Sequence, residues 1–122
     1  MAPDESPKPV GPYTPIVRAG DWLVCSGQLG LVGSRLIEGG LAAQVTQAVT
    51  NIGTLLGSEG ATLTDVVKTT VFLTDMADYP VMNDAYVAAF AGHRPARSAF
   101  AVSGLPLGAA VEIEAWAWKE DR

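Results

Sequence analysis

Between residues 16 and 118 the chain switches between two hydrophobic periods. Ile16-Val17-Arg18-Ala19 and Trp22-Leu23-Val24-Cys25 are short β-branched and aromatic runs about Gly20-Asp21, a hairpin signal. Residues 31–40 read as one more short strand and a loop with glycines at 30, 33, 39 and 40. Leu41, Val45, Ala48, Val49, Ile52, Leu55 and Leu56 then recur at helical spacing, with Gln44, Gln47, Asn51 and Thr54 between them. Gly57 and Gly60 supply the stop. Residues 66–74 return to a strand pattern. Asp78 is placed to cap a second helix, with Pro80 in its first turn, Met82, Tyr86, Ala89 and Phe90 as inner stripe and Gly92 at its end. Two apolar runs, 98–102 and 109–118, follow, joined by the Gly- and Pro-rich residues 103–108.

The order βββαβαββ predicts an α+β fold, a mixed β-sheet with two helices packed on one face. Two helices leave the other face bare, yet strands such as residues 22–25 are apolar on both sides. A bare apolar face is an interaction surface, and a closed symmetric oligomer is the simplest cover. Residues 1–10, with three prolines and three charges, read as a flexible arm, and residues 11–122 as a single domain.

Composition narrows the function. The net charge is −5, and the eight Lys and Arg residues are not clustered, which argues against nucleic acid as a partner. The one cysteine, Cys25, excludes an internal disulfide and fits a reducing cytoplasmic compartment. The one histidine, His93, argues against a His-based metal site or a Ser-His-Asp triad. No signal-peptide pattern is present, and no apolar run approaches the roughly 20 residues that span a bilayer.

Two charges look out of place. Arg97 opens one apolar run and Glu112 sits inside the next. A charge in an apolar strand costs several kcal/mol unless it is paired or meets water. Strands joined by one short loop would bring the two close together. Two readings are then open: a cross-strand ion pair on a solvated face, or a site. Glu114, about 7 Å further along the strand, is a competing carboxylate.

The residues around the pair resemble a known family. Pro95-Ala96-Arg97-Ser98, then Ser103, Leu105 and Val111-Glu112-Ile113, are similar to the signature of the RidA/YjgF family, also called endoribonuclease L-PSP. Gly11-Pro12-Tyr13, Ser26-Gly27-Gln28, residues 44–51, residues 66–74 and Asn83 fall in the expected order, so the resemblance covers nearly the whole chain. It implies a homotrimer, with sheets facing a central barrel and pockets between subunits. It implies hydrolysis of 2-imino acids, or their 2-aminoacrylate-type enamine tautomers, to 2-keto acids and ammonia, with no cofactor and no metal. Arg97 would clamp the substrate carboxylate through its planar fork. The backbone N–H of residue 99 would assist; that position is often Cys in the family and is Ala99 here, so any thiol role is lost. Glu112 would orient and deprotonate water, then return the proton toward the leaving nitrogen. Tyr13 would stand at the pocket rim, Ser26 and Gly27 in its wall, and Asn83 beside it. One departure is the short Gly92-His93-Arg94 lead before Pro95, where members often carry more residues. Arg94 adds a second cation that is either solvated or favours a dianionic substrate. The alternatives are a non-catalytic binder of small carboxylate metabolites, an endoribonuclease, and a chorismate mutase of similar trimeric architecture.

Overall fold

The structure is a computed structural model and describes residues 8–121. Most of the expected N-terminal arm lies outside the described residues; residues 8–10 carry no regular element. Strands β1 (Ile16–Ala19) and β2 (Trp22–Gln28) form the expected hairpin, and Gly20 takes the left-handed conformation its turn needs (φ 62°). Where one further strand is expected, the chain folds back at Gly33 into two short ones, β3 (Leu31–Val32) and β4 (Arg35–Leu36). The remaining elements are α1 (Leu41–Gly57), β5 (Val66–Leu73), α2 (Tyr79–Ala89), β6 (Ala96–Ala101) and β7 (Val111–Trp118).

The main sheet runs β1-β2-β7-β5-β6. β5 and β6 are parallel, as a strand–helix–strand unit requires, and the other pairings are antiparallel. The last two strands are therefore not neighbours. β7 enters the middle of the sheet, between β2 and β5.

Alternation along β7 sets the two faces. Val111, Ile113, Ala115 and Ala117 are fully buried, in one core with Val45, Ala48, Val49, Ile52 and Leu56 of α1 and Met82 and Tyr86 of α2. Glu112, Glu114, Trp116 and Trp118 point the other way. No helix of the described residues covers that face. There Trp22 meets Trp118 and Trp116 edge-on at 5.0 and 6.1 Å, and Phe72 meets Phe100 at 5.2 Å. Trp116, Trp118, Val17 and Phe100 stay exposed, an apolar area of the kind that marks an interface.

Two departures from the sequence pattern have clear causes. Asp78 sits at the N-cap of α2 but makes no side-chain cap bond. The chain first winds a 3-10 turn, Met76–Asp78, and Asp75 caps that turn by accepting from the Ala77 N–H at 2.9 Å. Gln44 and Asn51, expected on the polar side of α1, are buried. Asn51 Nδ2 donates to the Leu29 and Leu31 carbonyls at 3.1 and 2.9 Å, and Gln44 Oε1 accepts from the Ala110 N–H at 2.9 Å. Both satisfy backbone groups that loops would otherwise bury unpaired. They thereby tie α1 to the segments flanking Gly27 and Glu112. Among the described residues no helix is long and apolar enough to cross a membrane.

Candidate functional site

Arg97 and Glu112 do not meet within the chain. Arg97 pairs with Thr69 of β5, while Glu112 lies opposite Phe72, which also pairs with Phe100 of β6. One strand separates them sideways and three residues along the strand, so their Cα atoms are roughly 14 Å apart by strand geometry. They also point to opposite faces: Arg97 against α2, Glu112 to the uncovered side. The cross-strand ion pair is thereby excluded, and so is a site made by one copy of these two side chains. The expectation of closeness failed because the sheet places β5 and β7 in an order that the loop connection does not reveal.

Arg97 is held by α2. Its guanidinium donates to the Tyr79 hydroxyl at 3.0 Å and touches Met82 Sδ at 3.8 Å. It lies over the Tyr86 ring at 4.9 Å and the Tyr79 ring at 5.5 Å. Thr69 and Tyr86 lock together beneath it, with 2.6 Å between their oxygens. No carboxylate of the described residues pairs with Arg97, since the ion pair present joins Arg18 and Glu59. A half-buried guanidinium that is oriented by rings and lacks an anion is poised for an anionic ligand. It opens on a cleft of about 390 Å³ lined by Asn83, Tyr86, Val87, His93, Arg94, Pro95 and Arg97. In that wall Asn83 Oδ1 is buried with no hydrogen-bond donor. The ring of His93 anchors the turn before β6 through Nε2 and the Val66 carbonyl, 2.8 Å apart. Ala99 lies two residues beyond Arg97 on the same face. The Val102 N–H donates inward to Leu73 O at 2.8 Å. By strand alternation the N–H groups of Arg97 and Ala99 face the open edge of β6.

Glu112 forms the second cluster. Beside it, β2 loses register between Cys25 and Gln28, and this bulge carries Ser26 and Gly27. The Glu112 carboxylate occupies the space where a side chain at Gly27 would start: a Cβ there would lie 2.6 Å from Glu112 Cδ. Tyr13 stands at the rim, its hydroxyl accepting from the Val10 N–H at 3.2 Å. Residues 8–10, Tyr13, Pro15, Gly27, Gln28, Leu29, Leu31 and Glu112 enclose a small cavity of about 20 Å³. The Ser26 hydroxyl donates to the Pro15 carbonyl at 3.2 Å and fixes the approach of residues 13–15 rather than lining that cavity. Burial, and secondarily the nearby Glu114 charge, raise the Glu112 carboxyl above its ordinary value of 4.5. That is the direction a general base near neutral pH needs.

The seven residues singled out in the sequence thus fall into two clusters: Arg97, Asn83 and Ala99 at the β6 edge, and Tyr13, Ser26, Gly27 and Glu112 on the uncovered face. Sequence reasoning missed Tyr79 as the group that orients Arg97, and it read Tyr86 only as core. Their spacing of seven residues on α2, two turns on one face, was the available signal. A larger depression of about 590 Å³ lies at the far end of the sheet around Arg18 and Trp118. Its arginine is already engaged by Glu59 and by the Gly20 and Lys119 carbonyls. Burial pushes the Cys25 thiol up to about 12, which removes it as a nucleophile. Among the described residues no group of three or more His, Cys, Asp and Glu is gathered to hold a metal.

The chain belongs to the endoribonuclease L-PSP family, which includes RidA and YjgF; the family pattern matches residues 3–119. It is 43% identical over 113 residues to a Bos taurus protein named 2-iminobutanoate/2-iminopropanoate deaminase, covering 91% of this chain and 82% of that one. It is 40% identical over 119 residues to a RutC family protein of Pyrococcus horikoshii, covering 96% and 94% of the two chains. The crystal structure of RidA from the Antarctic bacterium Psychrobacter matches it with a TM-score of 0.89 at 39% identity, over 97% of each chain. The α+β fold expected from the order of the elements is the fold found, and it is the fold of these relatives.

Proposed function

We propose that this protein hydrolyses 2-imino acids to 2-keto acids and ammonia, in pockets that two copies of the chain complete together. The observation that carries the reading is Arg97, a half-buried, ring-oriented guanidinium with no carboxylate partner among the described residues. Beside it, Asn83 Oδ1 lacks a donor. A 2-imino acid supplies both missing partners, a carboxylate for Arg97 and an N–H for Asn83. The name of the Bos taurus relative, a deaminase of two such acids, agrees with this chemistry.

The catalytic carboxylate comes from a neighbouring copy. The Glu112 cluster lies on the uncovered apolar face and the Arg97 cluster at an unpaired sheet edge, and these are the surfaces a closed oligomer would cover. A homotrimer with three such pockets is the assembly we assign. The substrate carboxylate sits on Arg97 and the Ala99 N–H. Glu112 takes a proton from water as its oxygen bonds to the protonated imine carbon. The same carboxyl then gives the proton to nitrogen and takes the hydroxyl proton as the C–N bond breaks; ammonia leaves, picks up that proton as ammonium, and a 2-keto acid remains. The raised pKa of Glu112 suits these proton transfers. No cofactor is required, because the protonated imine is already electrophilic. A compartment with the reducing character of the cytoplasm fits the free, buried Cys25. Ribonuclease activity finds no support in the cleft, where Arg94 and Arg97 are the only cations.

The test generates 2-imino acids in situ with an amino-acid oxidase and traps the residual imine with semicarbazide. Micromolar protein should cut semicarbazone formation while keto acid and ammonia appear at the oxidase rate. Undiminished semicarbazone at every protein concentration overturns the proposal.

A further inference from the structure

We infer that Asn51 is a positioning residue for the hydrolysis: from inside the domain, its amide holds in place the chain segment that closes on the Glu112 carboxylate. The inference rests on the reading above, in which Glu112 moves the protons.

Three observations carry it. First, among the described residues the buried Gln, Asn and Thr side chains are Gln28, Gln44, Asn51 and Thr69. Polar groups are costly to bury, and these four stand at the two candidate clusters. Thr69 lies beneath Arg97, bonded to Tyr86. The other three bond to the segments that carry Glu112 and the wall beside it. Gln28 Nε2 donates to the Ser26 carbonyl at 3.2 Å, across the bulge that holds Gly27. Gln44 Oε1 accepts from the Ala110 N–H, two residues before Glu112. Asn51 Nδ2 donates to the Leu29 and Leu31 carbonyls. Second, the Asn51 amide has one orientation open to it. Two carbonyls only accept, so Nδ2 faces them, and Gln47 Nε2 donates to the remaining Oδ1 at 2.9 Å. A buried network satisfied in this way is rigid. Third, the segment it holds reaches Glu112. Gly27, Gln28, Leu29 and Leu31 line the small cavity beside that carboxylate. On its other side the segment lies directly on α1, where a Cβ at Gly30 would stand 2.7 Å from Gln44 Cα. Residues 27–31 are therefore clamped between α1 and Glu112, and Asn51 supplies the hydrogen bonds of the clamp.

Without Asn51 the segment is free to draw back, which admits water beside the carboxylate and widens the range of its orientations. Burial is the first cause that raises the Glu112 carboxyl, so its pKa should then fall toward 4.5. The other titratable groups near it are Glu114 on its own strand and Lys8 and Tyr13 around the cavity. Phe72 on β5 and Gly27 and Gln28 on β2 carry no charge. None of these groups is altered by a change at Asn51. Arg97 belongs to the other cluster, so its hold on a ligand carboxylate should survive.

The test measures kcat and KM for the imine of 2-aminobutyrate across pH, and 2-oxobutanoate affinity by calorimetry, on wild type, Asn51→Ala and Gln47→Met. Gln47 is half-buried and Met matches its length, so the second variant decides the matter if the first does not fold. Asn51→Ala should lower kcat roughly ten- to hundredfold, the cost of a misplaced catalytic group. Its 2-oxobutanoate Kd should stay within about threefold of wild type, and the acid limb of kcat/KM should move to lower pH. Gln47→Met should move both in the same direction by less. Folded variants that keep the wild-type kcat and acid limb overturn the inference whatever their melting temperature, since Asn51 is then structural alone. A loss carried by KM and keto-acid affinity with kcat unchanged overturns it too. So does a fall in kcat with an unmoved limb, because a wall that shields Glu112 cannot shift without changing its titration. In each of these cases wild-type turnover leaves the proposed function standing. If wild type itself consumes no imine, that function falls and this inference with it.

Discussion

Replacing Arg97 with Lys keeps the charge and removes the planar fork, which separates a carboxylate clamp from a structural cation. Two losses are expected. Toward the ligand, a point charge replaces paired N–H donors, and one charge-assisted hydrogen bond disappears, about 1.5–3 kcal/mol. At 1.4 kcal/mol per decade that is roughly a ten- to hundredfold fall in kcat/KM. Toward the fold, the guanidinium donates to Tyr79 at 3.0 Å and lies over Tyr86 at 4.9 Å. Lys keeps most of the attraction to the rings and loses the fixed hydrogen bond, about 1 kcal/mol. A domain of this size then melts about 4 °C lower. Tyr79→Phe provides the control: it removes the hydroxyl partner while leaving the fork in place, so its melting temperature should fall about as far while kcat/KM falls less than in the Lys variant. The assays are kcat/KM on several 2-imino acids and a melting curve for each protein. Wild-type activity in Arg97→Lys refutes the clamp. Equal activity losses in the Lys and Phe variants make Arg97 a structural residue, since only the fold effect is common to both.

Four further outcomes follow from the Glu112 cluster. Gly27→Ala places a Cβ on the Glu112 carboxylate and should abolish most turnover while leaving the protein folded, because the carboxylate rather than backbone must shift; full activity removes the close approach from the account. Glu112→Gln should cut kcat by on the order of 10²–10³, since Gln accepts a hydrogen bond but takes no proton. Burial raises the Glu112 pKa above 4.5, so folding favours its neutral form, and the associated stability is fullest below the unfolded pKa and lost as pH rises through the folded one. Glu112→Gln should therefore melt higher than wild type at pH 7 and no higher at pH 4; the reverse order contradicts the burial argument. The acid limb of kcat/KM should lie above 4.5 and move down in Glu114→Gln, which removes a like charge; an unmoved limb assigns the titration elsewhere.

Much of the fold was legible because its elements obey simple periods. The α1 stripe of Val45, Ala48, Val49, Ile52 and Leu56 is buried as its spacing implies, and β7 alternates along its length. The sheet order was not legible. Nothing in the loop before β7 says that the strand inserts between β2 and β5, and this insertion sends Arg97 and Glu112 to opposite faces. Gln44 and Asn51 were read as polar surface because a period reports side-chain polarity, not the loop carbonyls and N–H groups that draw those side chains inward. The candidate site residues stand out through the resemblance. Their division into two clusters was visible only in three dimensions, because it depends on strand facing and on the open edge of β6.

The claim that one copy supplies Arg97 and another supplies Glu112 is tested most directly by mixing two inactive chains. Arg97→Ala and Glu112→Gln, carrying different affinity tags, are co-expressed in equal amounts, and the hybrid oligomers are assayed for 2-imino acid hydrolysis beside each parent. If each pocket joins the Arg97 cluster of one copy to the Glu112 cluster of its neighbour, every hybrid homotrimer keeps one intact pocket of three, and about a third of the wild-type rate returns. Hybrids no more active than the parents would contradict the shared pocket.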